Sequence, residues 1–218
     1  MPHVALIAGA TGLVGSSLLD LLLNNDRYSK VISLQRGKAT ISHPKLITIQ
    51  TDFTNLDGIL VPTLTDVFCC LGTTIKKAGS KEQFKKVDYA FPLALAQCAA
   101  KANAAHFLVV TSMGANASSI FFYNKVKGEL EEQLATIKNI PSISVLRPSI
   151  LLGKRAEKRA GESIGIIIAE GLNTVFKAGI GTPASDVAKA MYVLAKDPKQ
   201  KGITYYASSQ IKELAASA

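Results

Sequence analysis

The sequence has few cysteines, few aromatic residues and no long apolar run. Its three cysteines are Cys69, Cys70 and Cys98; two are adjacent and none is spaced as Cys-x-x-Cys. This pattern argues against a disulfide framework and a zinc site, and it is typical of a reducing compartment, so we expect a cytoplasmic protein with no metal. No apolar stretch approaches the roughly 18 residues of a membrane span. A strand pattern follows Met-Pro-His directly, so no signal peptide is predicted either.

Acidic residues are scarce relative to basic ones, which gives a net charge of +9. The lysines and arginines are scattered, there is no basic tail, and aromatics make up only 6% of the residues. These features argue against specific nucleic-acid binding and favour a solvated basic surface, with an anionic small ligand as a second contributor. The chain is 48% hydrophobic and has no internal repeat or low-complexity linker, so residues 1–218 are expected to form a single domain.

The start of the chain carries the strongest structural pattern. An apolar run over 4–8 predicts a buried strand, three glycines follow at a spacing of three, and leucines then recur at helical spacing. Glycines in such a strand–turn–helix unit permit the turn, let a diphosphate approach the backbone, and let helix and strand pack closely. The free N–H groups of the helix start then face the anion. A glycine turn without a ligand is the alternative. The predicted cofactor contacts here are Gly9, Thr11, Gly12, Leu13, Val14 and Gly15.

The next two predicted strands end in residues that suit the adenosine half of a dinucleotide. Arg36 and Lys38 follow the second strand, at the place where an acidic residue would bind the ribose of NAD. Cations there suit a 2′-phosphate, which favours NADP(H) over NAD(H); two ordinary loop cations are the alternative. Asp52 and Phe53 follow the third strand. The Asp52 carboxylate can accept a hydrogen bond from the adenine amino group, or it can be a turn or helix-cap residue.

Alternating strands and helices predict an α/β fold with a doubly wound parallel sheet. Ligands of such sheets bind beyond the carboxyl ends of the strands. This places four residues at the carboxyl end of the fourth strand over the cofactor: Cys70, Leu71, Gly72 and Thr73. The predicted strands cover 4–8, 31–35, 46–50, 67–71, 107–110, 143–146 and 203–207, and the later helices cover 87–102, 121–137, 162–176 and 185–195.

Four polar residues in the middle of the chain are candidates for the chemistry. Tyr123 and Lys127 are four residues apart, so they share one face of a predicted helix. An ammonium beside a phenol favours the phenolate and lowers the phenol pKa from about 10, which suits proton exchange near neutral pH. Lys127 can also hydrogen-bond the nicotinamide ribose. Ser112 or Thr111, at the end of the fifth strand, can hold a substrate carbonyl oxygen. An exposed helix pair is the alternative.

Several motifs together resemble the short-chain dehydrogenases/reductases of the extended or atypical kind. They are Gly9-Ala-Thr-Gly-Leu-Val-Gly15, Tyr123-x-x-x-Lys127 and Leu146-Arg-Pro148. Three further stretches resemble the Tat-interactive-protein-like NADPH-binding oxidoreductases: Cys69-Cys-Leu-Gly-Thr-Thr74, Lys86-Val-Asp88 and Tyr123-Asn-Lys-Val-Lys-Gly-Glu129. The match spans 4–148, with a weaker match at 186–188. The resemblance implies a Rossmann fold, a nicotinamide cofactor flanked by Pro148, and a catalytic triad of Ser112, Tyr123 and Lys127.

The chain also departs from this pattern. Many reductases of the superfamily use an Asn in the helix after the fourth strand to support a proton relay, and this chain has Asp88 there. Residues 151–183 are expected to form a small substrate-covering insertion, too short for a large nucleotide sugar. We therefore expect an NADP(H)-dependent oxidoreductase acting on a small carbonyl or alcohol. The alternatives are a non-enzymatic NADP(H)-binding module read by a protein partner, and an epimerase or dehydratase. A homodimer is left open.

Overall fold

The computed structural model describes residues 3–39, 41–56, 64–153, 181–196 and 201–218. Within these ranges the strands are β1 (His3–Ala8), β2 (Tyr28–Gln35), β3 (Leu46–Gln50), β4 (Asp66–Cys69), β5 (His106–Val110), β6 (Ser142–Arg147), β7 (Leu151–Leu152), β8 (Thr182–Pro183) and β9 (Gly202–Ala207). The helices are α1 (Leu13–Leu23), α2 (Ile75–Ala78), α3 (Lys81–Lys85), α4 (Phe91–Lys101), α5 (Phe122–Ala135), α6 (Ala184–Lys196) and α7 (Ser208–Ala216), with a π-helical turn over Lys86–Ala90 before α4.

Seven of the strands form one sheet in the order β3-β2-β1-β4-β5-β6-β9, and every neighbouring pair is parallel. The chain builds outward from β1 to β3 and then crosses to the other side of β1 to form β4. The connections at the carboxyl ends of β1 and β4 therefore run in opposite directions and leave a crevice between them, which is where doubly wound sheets bind ligands.

Two apolar layers hold the sheet, one on each face. Within β1, Val4, Leu6 and Ala8 point into the layer that is covered by α4 and α5. Ala5 and Ile7 point into the opposite layer, which is covered by α1, α6 and α7. Both faces are buried because helices pack on both, and this explains why the strands of the sheet centre are continuously apolar in sequence.

The expected doubly wound parallel sheet is confirmed, and β9 completes it at one edge. The helix predicted over 87–102 begins as a π-helical turn, because Pro92 at the start of α4 has no N–H to donate to the preceding turn. The helix predicted over 162–176 lies outside the described residues. Only the ends of the segment 151–183 are described, and they pair with each other as β7 and β8.

Four parts of the described structure were not predicted from the sequence: α2, α3, the β7–β8 pair and α7. The helices α2 and α3 have four and five residues, β7 and β8 have two each, and α7 buries only Ile211 and Ala215. None of them is long or apolar enough to produce a clear periodicity. Among the helices that the structure describes, none has the length and hydropathy needed to cross a bilayer.

Candidate active site

The turn between β1 and α1 is so tight that it requires glycine. Gly9 has a φ of +86°, and a Cβ there would lie 2.5 Å from the carbonyl oxygen of Cys70. A Cβ on Gly15 would overlap the carbonyl oxygen of Gly9, so α1 packs directly on the turn. Gly12 is the N-cap of α1 and offers no side-chain cap, which leaves N–H groups of the first helical turn for an anion. The arrangement is a backbone cradle of the kind in which strand–turn–helix units bind a diphosphate.

The carboxyl end of β2 carries two exposed cations beside this cradle. Arg36 and Lys38 are both exposed, and the Arg36 carbonyl oxygen accepts a hydrogen bond of 3.0 Å from the Gln50 side chain. The loop backbone is thereby fixed while its cationic side chains face solvent. Between this strand and the turn lies a crevice of about 20 Å³, into which the buried hydroxyl of Ser33 opens without a hydrogen-bond partner among the described residues.

The residues after β3 hold the chain in a turn. Asp52 Oδ1 accepts hydrogen bonds from the Thr54 N–H at 2.9 Å and the Thr54 hydroxyl at 2.6 Å, and these bonds lower the pKa of Asp52. The structure thus shows the turn role of Asp52, and the adenine contact stays a prediction. Phe53 has a φ of 64°, and its side chain is buried in the core with the ring centre 5.5 Å from that of Phe91; the cofactor contact expected at Phe53 stays a prediction.

The cysteines after β4 lie among packing residues. Cys69 is completely buried, and burial raises the pKa of its thiol to about 12. Burial also raises the pKa of Cys70, whose Sγ lies 3.9 Å from Met191 Sδ. Both thiols are therefore neutral at physiological pH and unsuited to nucleophilic chemistry. In the following loop, Gly72 is exposed and Thr73 is half-buried, and the Thr73 N–H donates a hydrogen bond of 2.9 Å to Asp88 Oδ2.

Two neighbouring hydroxyls at the end of β5 have different surroundings. Thr111 Oγ1 donates a hydrogen bond of 2.6 Å to Glu131 Oε1, so it is already used within the protein. Ser112 Oγ is buried and has no hydrogen-bond partner among the described residues. A buried hydroxyl without a partner is costly unless a ligand or water completes it. Of the two hydroxyls that the sequence left open, that of Ser112 is the one without a hydrogen-bond partner among the described residues.

Tyr123 and Lys127 lie on α5, as predicted, but the lysine has an additional partner. Its ammonium is buried and lies 2.7 Å from Asp88 Oδ1, and both side chains are at most 4% exposed. Burial by itself would lower the pKa of Lys127, but the Asp88 carboxylate and the nearby Tyr123 outweigh burial and raise it. The Tyr123 ring packs 5.4 Å from that of Phe84 on α3, which fixes its position at the start of α5.

The loop between β5 and α5 is held on α5 at one glycine. A Cβ on Gly128 would overlap the backbone of Asn116 and Ala117, so the loop rests directly on the helix next to Lys127. The same loop is tied to the end of β6, because the Met113 N–H donates a hydrogen bond of 2.8 Å to the carbonyl oxygen of Pro148. Pro148 itself is buried. These contacts place Ser112 between two strand ends and the amino-terminal half of α5.

Sequence reasoning missed a buried polar network behind the site. Glu131 accepts the hydrogen bond from Thr111 and also forms a two-pronged ion pair with Arg147 at the end of β6. The Arg147 guanidinium lies 4.3 Å from the centre of the Tyr205 ring on β9. Glu131 follows Lys127 by one helical turn, and this spacing was the sequence feature that could have indicated that Glu131 lies on the same face of α5 as Lys127. The network holds α5 against the carboxyl ends of β5 and β6.

Together, the sheet order, the glycine cradle and the Tyr–Lys helix define an atypical short-chain dehydrogenase/reductase fold. The sequence model of the HIM1 family matches residues 32–176, so the chain belongs to the HIM1 family. The expected relation to Tat-interactive-protein-like proteins is confirmed by a relative, HTATIP2 of Rattus norvegicus. It is 36% identical over 85% of this chain and 78% of its own length.

Fungal relatives and a solved structure agree with this assignment. The mitochondrial protein FMP52 of Candida albicans is 37% identical over 90% of this chain and 88% of its own length. The structure of MoeE5 in complex with UDP-glucose and NAD superposes with a TM-score of 0.70, covering 98% of this chain and 81% of that chain. At 17% identity, this likeness establishes the fold alone.

The expected cytoplasmic location is wrong. Several fungal relatives are named as mitochondrial proteins, which points to the mitochondrion instead. The inference came from free cysteines, and these report a reducing environment rather than a particular compartment. Within the described residues, no group of three potential His, Cys, Asp or Glu ligands could hold a metal ion.

Proposed function

We propose that the protein is an NADP(H)-dependent oxidoreductase acting on a small carbonyl or alcohol. The observation that carries the proposal is the buried, unpartnered hydroxyl of Ser112, which lies at the same edge of the sheet as the glycine cradle and the Tyr123–Lys127 helix. A buried hydroxyl without a protein partner is costly, and a substrate oxygen that accepts a hydrogen bond from Ser112 would remove that cost.

The residues fit a nicotinamide dinucleotide, which supplies or accepts a hydride when bound. The glycine cradle would hold the diphosphate, Arg36 and Lys38 would hold the 2′-phosphate, and Thr73 and Pro148 would flank the inner half. Ser112 would donate a hydrogen bond to the substrate oxygen and fix its orientation. Tyr123 would donate its phenolic proton to that oxygen, and the Lys127 ammonium would stabilise the resulting phenolate.

MoeE5 was solved in complex with UDP-glucose and NAD, and the shared fold supports a nicotinamide dinucleotide for this chain as well. The preference for NADP(H) rests on the two exposed cations at the end of β2. A 2′-phosphate brings two negative charges to these cations, and charge-assisted hydrogen bonds from Arg to phosphate are among the strongest in proteins.

The test is calorimetric titration of the purified protein with NADPH and with NADH. We expect NADPH to bind more tightly, and we expect Arg36→Ala to weaken NADPH by about tenfold while NADH changes little, since one charge-assisted hydrogen bond is worth roughly 1.5–3 kcal/mol. Lys30→Ala is the matched control: it removes one exposed cation from the same strand, away from its carboxyl end. An equal loss of NADPH affinity in both variants would mean that Arg36 acts only through the net charge of the protein. If the protein binds neither NADPH nor NADH, the proposal is wrong.

Turnover is then tested with a panel of small aldehydes, ketones and alcohols, followed by NADPH absorbance. Consumption of NADPH with any carbonyl substrate supports the enzyme. Tight NADPH binding without turnover of any of them would favour the non-enzymatic binding module, because the cofactor would then act only by shifting a conformational equilibrium.

A further inference from the structure

One buried charge near the site has no role in the chemistry described above. Asp88 is 1% exposed and sits in the π-helical turn before α4, where an amide was expected from the family pattern. Its Oδ1 lies 2.7 Å from the Lys127 ammonium. Burying both ions carries a large desolvation cost, so a direct ion pair of this kind indicates that the two residues have a structural or a functional role.

The second oxygen of the same carboxylate reaches a different element. Asp88 Oδ2 accepts a hydrogen bond of 2.9 Å from the Thr73 N–H in the loop after β4. That loop passes close over the pair: a Cβ on Gly72 would lie 3.6 Å from Asp88 Oδ1 and 4.0 Å from Lys127 Nζ. One carboxylate therefore joins the loop on which the inner half of the cofactor would rest to the lysine of α5.

We propose that Asp88 is the positioning residue of Lys127, holding its ammonium protonated and in register with the loop after β4. The proposal rests on the proposed function, because it assigns Lys127 a role toward cofactor and phenol. Asp88 also lies in a π-helical turn, and such turns recur at functional sites. An amide could not supply the counter-charge.

The other groups that face Lys127 determine its pKa in the absence of the Asp88 carboxylate. Besides Asp88, these are Tyr123 on α5 and Cys69 on β4. The Cys69 thiol is neutral because burial raises its pKa to about 12. With Asp88 replaced by Asn, burial would dominate, and the pKa of Lys127 would fall below its ordinary 10.5 rather than rise above it.

The first test needs no cofactor. A lysine whose pKa is lowered in the folded state makes the protein gain stability as pH rises towards the unfolded pKa, whereas a raised pKa produces no such gain. We compare the unfolding equilibrium constants of Asp88→Asn and of the double variant Asp88→Asn/Lys127→Met, which lacks the titrating lysine, from pH 7 to about pH 10. The constant of Asp88→Asn divided by that of the double variant should fall by about tenfold or more over this range, since each unit by which the pKa of Lys127 is lowered corresponds to a factor of ten.

The second test reads the site itself through NADPH titration across the same pH range. Wild-type affinity should be nearly flat, because its Lys127 stays charged. Asp88→Asn should bind about tenfold more weakly and weaken further as the pH rises, as expected when a buried charge loses its partner. Asp88→Glu keeps the charge and should restore the flat profile even if its overall affinity is reduced.

The outcomes separate the two proposals. If wild-type protein binds neither NADPH nor NADH, the proposed function fails, while the unfolding experiment still tests the ion pair. If wild type binds NADPH but Asp88→Asn has the wild-type pH profiles in both experiments, Asp88 is a packing residue and the positioning role is overturned. If Asp88→Asn does not fold, the variants Asp88→Glu and Lys127→Met test the positioning role instead. Asp88→Glu must keep the wild-type pH profile of NADPH binding, and Lys127→Met must bind NADPH more weakly than wild type at every pH.

Discussion

Ser112 and Thr111 stand next to each other at the end of β5, and their partners separate their roles. The Thr111 hydroxyl is bonded to Glu131 on α5, whereas the Ser112 hydroxyl has no partner among the described residues. The sequence could not distinguish them, because the two hydroxyls are adjacent in the chain and differ only in the hydrogen-bond partner that α5 provides in the folded structure. Free hydrogen-bonding capacity is therefore the feature on which the proposed role of Ser112 rests.

At the residue scale, the phenol of Tyr123 is predicted to be essential for turnover but not for cofactor binding. Tyr123→Phe removes the proton donor and keeps the ring that packs on Phe84. We expect kcat on any carbonyl substrate found to fall by about 10²–10⁴-fold, the usual contribution of a general acid. The NADPH dissociation constant should change by only a few-fold.

Tyr206→Phe serves as the control for that experiment, because Tyr206 packs on the opposite face of the sheet, beside α7. Loss of the Tyr206 hydroxyl should leave both kcat and the NADPH dissociation constant near their wild-type values. Unchanged turnover in Tyr123→Phe would mean that the proton comes from another group, and the assignment of Tyr123 would have to be withdrawn.

At the scale of elements, α5 organises the site. Its inward face carries Tyr123, Lys127 and Glu131 at successive turns, and each contacts a different neighbour: α3, the π-helical turn and the end of β6. The loop 113–121 lies on the same helix through Gly128. A shift of α5 would therefore move Tyr123, Lys127 and Glu131 together, relative to Ser112 and Asp88.

Gly128→Ala is predicted to disturb this docking. The new methyl group would overlap the backbone of Asn116 and Ala117, so the loop has to move away from α5. We expect a loss of about 2 kcal/mol in the free energy of unfolding, in the range of other overpacking substitutions, together with reduced turnover. Denaturant unfolding and the carbonyl assay measure the two effects.

Gly37→Ala is the matched comparison, because nothing lies within 4 Å of a Cβ at that position. Its unfolding free energy should stay the same or rise by several tenths of a kcal/mol, since alanine restricts the unfolded chain. A Gly128→Ala protein as stable as wild type would show that the loop is not held by this contact.

The sequence predicted those features that depend on neighbouring residues along the chain. The apolar runs located the strands of the main sheet, and the spacing of Gly9, Gly12 and Gly15 located the cradle. What it could not predict depends on pairs of elements. Asp88 and Lys127 are distant in sequence, and their ion pair arises only because α5 packs against the turn before α4.

At the scale of the whole molecule, the two edges of the sheet carry different groups of polar residues. The carboxyl edge carries the cradle and the candidate catalytic groups. The amino edge carries a second buried polar cluster, in which the Tyr28 hydroxyl donates a hydrogen bond of 2.9 Å to Asp66, with Arg27 close by. Burial raises the pKa of both Asp66 and Tyr28 and thereby favours the neutral form of each group.

His106 makes the amino edge a source of acid sensitivity that is independent of the active site. It pairs in register with Asp66 and lies 2.8 Å from the Ser144 hydroxyl, and burial lowers its pKa from 6.5 to about 4. Because the unfolded chain binds a proton more readily, stability should be lost as the pH falls from 6.5 towards 4. The loss attributable to this residue is on the order of 3 kcal/mol.

Replacing His106 with Gln keeps a polar group within reach of Ser144 and removes the titration. We therefore expect His106→Gln to be less stable than wild type near pH 7 but to lose less stability between pH 6.5 and 4, measured by urea unfolding at each pH. Asp66 titrates in both proteins, so its contribution cancels in the comparison. NADPH affinity at pH 7 should be the same in both, because His106 is at the opposite edge of the sheet. Parallel stability curves for the two proteins would show that His106 takes up its proton equally well in the folded state.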